Sequence, residues 1–281
     1  AIRAARRAVR AQHFVKGCPL LCHDLSPLPD TAPSPLGLEA IGAARKGKGM
    51  KSEAADGSKR AMIHTSLDAL LIGTPQPFHP LRGMSSMTRR PVSAPVTVGR
   101  MGFAGDQVAD PTVHGGPDKA VHFYPAEHYA AWRAELGNHP RLVAPGGFGE
   151  NLSAHGLTEE RVHIGDRFRI GTALFEVAQG RQPCWKLDHH FGLKSMAADV
   201  IRSGRGGFYF RVIEEGRVAP GDAIEQVARG PAEWSVARVF RLLIGGGHKA
   251  PGAQSALAEL AALPLLAETW RARAEKLLYA Q

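Results

Sequence analysis

The feature that most constrains this chain is punctuation. From Met62 to Ala228 each apolar run is soon cut by a glycine, a proline or a Gly-Asp pair. Short runs closed by such turns read as β-strands. "SLDALLIG" alternates into an apolar run and stops at Gly73. "PVSAPVTVGRMGFAGD" is a second strand region, broken by Pro95 and turning at Gly105-Asp106. "VHIGDRFRIG" and "TALFEVAQ" read as two strands of a hairpin joined at Gly171-Thr172. "GGFYFRVIEEGRVAPGDAIEQVA" gives two more, with another Gly-Asp turn. Helices are few in this stretch. Tyr129, Trp132 and Leu136 recur at i, i+3 and i+7, a single buried stripe opened at Pro125 and closed at Gly137. A polar, helix-like stretch, "GLKSMAADVIRSG", follows Cys184. The expected class is mainly β with α (α+β), its strands closing into a β-barrel.

The flanks differ from this body. Residues 231–281 turn to Ala, Leu and Arg, and "VARVFRLLIG", "SALAELAAL" and "LLAETWRARAEKLLY" read as amphipathic helices. They form a small C-terminal extension that needs a partner surface, either the body or a homodimer contact. Residues 1–61 are basic, Pro-rich and polar, and cannot bury enough apolar surface to fold alone. They hold 11 of the 35 Lys+Arg but only 5 of the 26 Asp+Glu, so much of the net charge of +9 lies there and not in the body. That distribution argues against a specific nucleic-acid surface. The Arg-rich first 20 residues are similar to an organelle transit segment, or the native chain starts at Met62. Cys18, Cys22 and His23, with His13 upstream, lack the second cluster a zinc site needs. No apolar run approaches membrane-spanning length, and three cysteines are too few for a disulfide scaffold, so a cytoplasmic protein is expected.

One residue stands out chemically. Cys184, in "QGRQPCWKL", has no other cysteine near it in sequence. It is either a small buried apolar residue or a soft ligand. Arg181, Gln182 and Lys186 surround it with polar and cationic groups, which favours a thiolate. A lone cysteine cannot build a zinc or iron–sulfur centre, but it suffices where an organic ligand supplies the other donors. No G-x-G-x-x-G segment opens a helix, so no nicotinamide site is readable.

"GDQVADPTVHGGPDKAVHFYPAEHYAAW", "FGENLS", "LTEERVHIGDRFRIG", "ALFEVAQGRQPCWKL" and "GGFYFRVIEEGRVAPGDAIE" stand in this order between residues 65 and 228. Together they resemble the MOSC domain, named for the C-terminal domain of molybdenum cofactor sulfurase, and most closely its YiiM-like branch. The resemblance implies a β-barrel over residues 62–230 that binds a molybdenum–pterin cofactor (molybdopterin), with Cys184 as the protein ligand to molybdenum. His114 heads a loop in which Gly115 permits close backbone approach to a ligand, and it is a candidate proton donor. Asn151 could hydrogen-bond the pterin, and Lys119, Arg181 and Arg205 could meet its phosphate. Each has a plain alternative: His114 and Asn151 as turn residues, Arg205 as a solvated loop charge.

By the same resemblance the expected activity is reduction of N-hydroxylated compounds such as 6-N-hydroxylaminopurine-type base analogues, a detoxification. Its electrons would come from an external donor, a flavoprotein reductase. The chain is too short to include the sulfurase's pyridoxal-phosphate domain, which removes sulfur mobilisation. A non-catalytic carrier of cofactor or sulfur on Cys184 remains the alternative.

Overall fold

The computed structural model describes residues 61–80 and 83–280. The expected leader, residues 1–61, lies outside these except for Ala61. Strands come first along the chain: β1 (His64–Ser66), β2 (Ala69–Ile72), β3 (Gln76–His79), β4 (Gly83–Ser85), β5 (Arg90–Pro91), β6 (Val96–Gly99) and β7 (Gly102–Phe103). A one-turn helix α1 (Pro111–His114) precedes β8 (Val121–Pro125), α2 (Glu127–Leu136) and β9 (Leu152–Ala154). Then come β10 (Arg167–Ile170), β11 (Ala173–Gly180), α3 (Trp185–Phe191), α4 (Met196–Ser203), β12 (Phe208–Glu214), β13 (Gly216–Val218) and β14 (Ala223–Ala228). The tail is α5 (Val236–Leu243), α6 (Ala253–Ala261) and α7 (Glu268–Tyr279).

The main sheet has nine strands in the order β1-β14-β10-β11-β12-β8-β9-β2-β5, flanked by a three-stranded sheet β13-β6-β7 and the hairpin β3-β4. It is an α+β fold with an open main sheet. The expected closed barrel is corrected here: β1 and β5 end the strand order without pairing each other. β5 is two residues long and ends in Pro91, which has no N–H to extend a ladder. The α+β class holds, with more helix than the sequence pattern indicates. The polar stretch 192–204 forms the expected helix, α4, but a further helix, α3, begins at once after Cys184 and ends at Gly192 (φ 66°).

Local reasons for the strands are legible. The hairpin at Gly171-Thr172 forms as expected, pairing Ile170 with Ala173 and Arg167 with Glu176. Gly171 is at φ 57°, and a Cβ there would lie 2.3 Å from the Arg217 carbonyl oxygen, so only glycine fits this turn. β12 alternates: Phe208, Phe210 and Val212 point into the core. β11 is buried along its whole length, with α5 and α7 packed on its C-terminal end at Gly180 and Arg167 and Arg211 over Glu176. Pro125 ends β8 and does not open α2; its register partner is Ala154 in the parallel pair β8–β9.

The tail shares the body's core. Val236, Val239, Phe240, Leu243, Leu257, Leu260 and Trp270 join the cluster that holds Phe123, Phe168, Phe208 and Phe210. Burying a large apolar side chain contributes ~1.5–3 kcal/mol, so this contact fixes the tail firmly. A second cluster, Tyr124, Tyr129, Trp132, Phe148, Leu187, Phe191 and Val200, packs α2, α3 and α4 together. Leu187 and Phe191 sit one turn apart on α3, so this packing sets where the helix, and Cys184 at its N-cap, can lie. Among the described residues no helix is long and apolar enough to cross a membrane.

Candidate functional site

The last residue of β11 is Gly180, and the chain then runs through Arg181, Gln182 and Pro183 to Cys184. A pocket with a cavity volume of about 80 Å³ opens there. Its walls come from three places distant in sequence: the segment 85–89, the loop from Asp106 to Lys119, and the turn 148–151. His114, Lys119, Asn151, Arg181 and Cys184 all line it.

Cys184 is a free, half-buried thiol with its Sγ 3.7 Å from Nε2 of His114. The one-turn helix α1 carries His114 to this point. Gly115 closes that turn, its N–H bonding the Pro111 carbonyl at 3.2 Å, and it does not line the pocket. Burial, then Lys186, Lys119 and Arg181, hold the His114 imidazole below its usual pKa, against the pull of Asp110. It is therefore neutral at pH 7, with Nδ1 buried and without a partner. Lys119 donates to the Val113 carbonyl at 2.6 Å, and burial lowers its pKa.

Arg181 is the electrostatic centre of this wall. It is 6% exposed, and its side chain hydrogen-bonds the Tyr209 hydroxyl. Its Nη1 is buried without a hydrogen-bond partner, and its ion pairs among the described residues number none. An unpaired buried cation costs several kcal/mol unless an anion arrives. Its field reaches His122, 3% exposed, whose pKa is pushed down to about 3 by burial first and by Arg181 next.

The opposite wall is complete. The Asp106 carboxylate accepts from Arg89 Nε and Nη2, both at 2.8 Å, from the Gly73 N–H at 2.8 Å and from Asn151 Nδ2 at 3.0 Å. Arg89 Nη1 also donates to the Gly149 carbonyl. Asn151, expected to reach a pterin, spends its amide inside the protein: Nδ2 also donates to the Leu71 carbonyl and Oδ1 accepts the His122 N–H. Arg205 is not in the pocket at all. Its guanidinium pairs with Glu135 at 2.5 Å and lies 3.9 Å over the Trp132 ring, because Gly204 (φ 75°) turns it toward α2. Sequence reasoning missed Arg89, His122 and Tyr209. Arg89 carried no signal in its neighbourhood, whereas Asp106 was visible as the Gly105-Asp106 turn.

The donor set fits an anionic ligand that carries a soft metal. Cys184 offers one soft donor, and among the described residues no three His, Cys, Asp or Glu side chains converge to cage a metal by themselves. The orphaned Arg181 Nη1, with Lys119 and Lys186, suits a phosphate.

Fold and site thus define an α+β protein built around a single thiol in a cation-walled pocket. The MOSC domain description matches residues 110–225, a span that holds His114, Asn151, Arg181 and Cys184. The uncharacterised protein YflK of Bacillus subtilis is 45% identical over 188 residues, covering 67% of this chain and 82% of YflK. Protein YiiM of Escherichia coli is 40% identical over 145 residues, covering 52% of this chain and 65% of YiiM. A Gibberella moniliformis protein named Reductase is 37% identical over 160 residues, which span 57% of this chain and 28% of that protein. The crystal structure of YiiM from Geobacillus stearothermophilus superposes with a TM-score of 0.64 at 32% identity, covering 76% of this chain and 98% of that one. The chain belongs to the MOSC domain family, in its YiiM-like branch.

Proposed function

We propose that this protein is a molybdenum-cofactor-dependent reductase of N-hydroxylated compounds, with N-hydroxylated purine-type bases as the substrate class. The observation that carries the reading is the pairing of a thiol and an imidazole, 3.7 Å apart, beside a buried guanidinium that has no anion of its own. The relative named Reductase supports the reaction class.

Cys184 would hold the metal, and Arg181, Lys119 and Lys186 the cofactor's phosphate. When bound, the cofactor supplies two-electron chemistry at a soft metal. The overall change is R–NH–OH + 2 e⁻ + 2 H⁺ → R–NH₂ + H₂O. The N–O bond breaks, nitrogen is reduced, and the oxygen leaves as water. The electrons come from an external donor, a flavoprotein reductase. His114 stands beside the thiol, where its neutral imidazole can take up a proton from water and relay it to the departing oxygen. Burial and its cationic neighbours keep it neutral between turnovers, so it does not add a further charge beside Arg181 and Lys119.

The test is elemental analysis of the purified protein for molybdenum, with turnover of N-hydroxyadenine under a reducing donor. Stoichiometric molybdenum and release of adenine are expected. Molybdenum without turnover would favour a carrier that delivers cofactor, and absence of both would remove the reading.

A further inference from the structure

Cys184 and His114 do not lie at the floor of one pocket; they stand in a wall between two. The second pocket, of about 270 Å³, shares His114, Lys119, Gln182, Cys184 and Tyr209 with the first. It is completed by Gln179 at the end of β11 and by Thr269, Trp270 and Arg273 of α7. The tail therefore builds part of the surroundings of the thiol. Its register is fixed close by: the Ala267 N–H donates to the Ala178 carbonyl at 2.9 Å and the Glu268 N–H to Asp118 Oδ2 at 3.3 Å. Trp270 also presses on the strand end that leads to Cys184, since a Cβ on Gly180 would meet its ring at 3.0 Å.

The two pockets differ in what they can hold. The first has the Arg89–Asp106 pair and the unpaired Arg181, an environment for a phosphate. The second also has cations, Lys119 and Arg273, and no aspartate or glutamate, but it adds a buried carboxamide, Gln179, at 2% exposure. That amide is weakly committed. Its Nε2 reaches only its neighbour's carbonyl, Gly180, at 3.4 Å, and its Oε1 accepts from the Thr269 hydroxyl at 3.4 Å. A carboxamide carries two donors and two acceptor lone pairs, so most of its capacity is unspent in a place where unspent capacity is costly.

We propose that the second pocket takes the reducible substrate, and that Gln179 selects N-hydroxylated amidines, the group N=C–NH–OH, by a two-point hydrogen bond. The amidine N–H donates to Oε1 while the neighbouring ring nitrogen accepts from Nε2. The same complementarity lets glutamine grip an adenine edge. A simple hydroxylamine offers no second point, and a site built for hydrogen bonds rejects analogues that lack them. Thr269 holds the amide plane from the tail side. The assignment rests on the reductase reading for its substrate class.

Two probes test it: N-hydroxyadenine, which contains the amidine, and hydroxylamine, which does not. In Gln179→Met the ratio of kcat/KM for N-hydroxyadenine to that for hydroxylamine should fall about 10–100-fold, chiefly through KM. Equilibrium dialysis should show N-hydroxyadenine binding weakened about tenfold or more in the same variant. Thr269→Val, at an exposed position that folding tolerates, should lower the ratio severalfold. A ratio and a binding constant both within about twofold of wild type in Gln179→Met would overturn the assignment. If that variant does not fold, an unchanged ratio in Thr269→Val overturns it instead. Gln179-dependent binding of N-hydroxyadenine by a protein that reduces neither compound would defeat the reductase reading and leave the pocket assignment standing.

Discussion

Two buried guanidinium groups face the same pocket and are held in opposite ways. Arg89 meets a carboxylate edge to edge, with Asp106 at 2.8 Å on two nitrogens, and both side chains are nearly sealed from water, at 11% and 5% exposure. Arg181 is buried about as deeply, yet has a hydroxyl on one side and nothing on Nη1. Desolvation costs several kcal/mol for each cation. For Arg89 the protein itself offsets that cost, so the residue is part of the scaffold that ties 73, 106, 149 and 151 together. For Arg181 the offset must come from outside. The contrast separates a wall that is finished on folding from one that is finished by a ligand.

The largest effect is expected at the unfinished wall. Cys184→Ser should fold normally, its thermal midpoint within about 2 °C of wild type, yet lose about 1,000-fold or more in reductase turnover. Serine is nearly isosteric but a hard donor. Near-normal turnover with full cofactor would show that the thiol only fills space. At the finished wall the effect should move to stability. Asp106→Asn leaves Arg89 buried without its charge partner and should cost about 3–5 kcal/mol in denaturant unfolding. A cost below about 1 kcal/mol would mean that the two walls are not different in kind.

Arg181→Gln should give the reverse pattern. Its unfolding free energy should stay within about 1 kcal/mol of wild type or rise, since a desolvated charge has been removed. Wild type should gain thermal stability in inorganic phosphate, about 2.7 kcal/mol at a hundredfold excess over Kd, and the variant should lose most of that gain. Equal gains in both proteins would break the comparison.

His190, 7% exposed with neither ring nitrogen partnered, extends the unfinished side. Burial, then Arg141 and Arg181, push its pKa down to about 4, against about 6.5 in the unfolded chain. The unfolded chain therefore takes up the proton first as pH falls. Its contribution is complete above pH 6.5 and declines toward pH 4, with about 2 kcal/mol lost by pH 5. Denaturation at pH 7 and pH 5 should show that loss shrinking in His190→Asn. The smallest effect belongs to Arg205→Ala: about 0.5–1 kcal/mol from the exposed Glu135 pair and the Trp132 contact, with cofactor content unchanged. Loss of cofactor would return Arg205 to the site.

Much of this was open to reading along the chain. Gly171-Thr172 marks its hairpin because a turn needs the positive φ that glycine allows, and that requirement is local. The three tail helices show their apolar period for the same reason. Cys184 could be singled out with Arg181 and Lys186 because they lie within three residues of it. His114 is 70 residues away and joined them only through the MOSC resemblance. Arg205 stood open between ligand and loop charge, because its partner Glu135 is on α2, 70 residues earlier.

The sequence by itself determined where the chain turns, which runs become strands or tail helices, and that one thiol with cationic neighbours would follow β11. Those are properties of residues within a few positions of one another, set by φ preferences and side-chain period. Only the tertiary structure decided that Arg89 would find Asp106 while Arg181 would find no carboxylate, that the main sheet would stay open, and that α7 would wall a second pocket beside Cys184. These depend on strand register and helix packing between distant segments, where a shift of one residue exchanges the partners and no short stretch records the outcome.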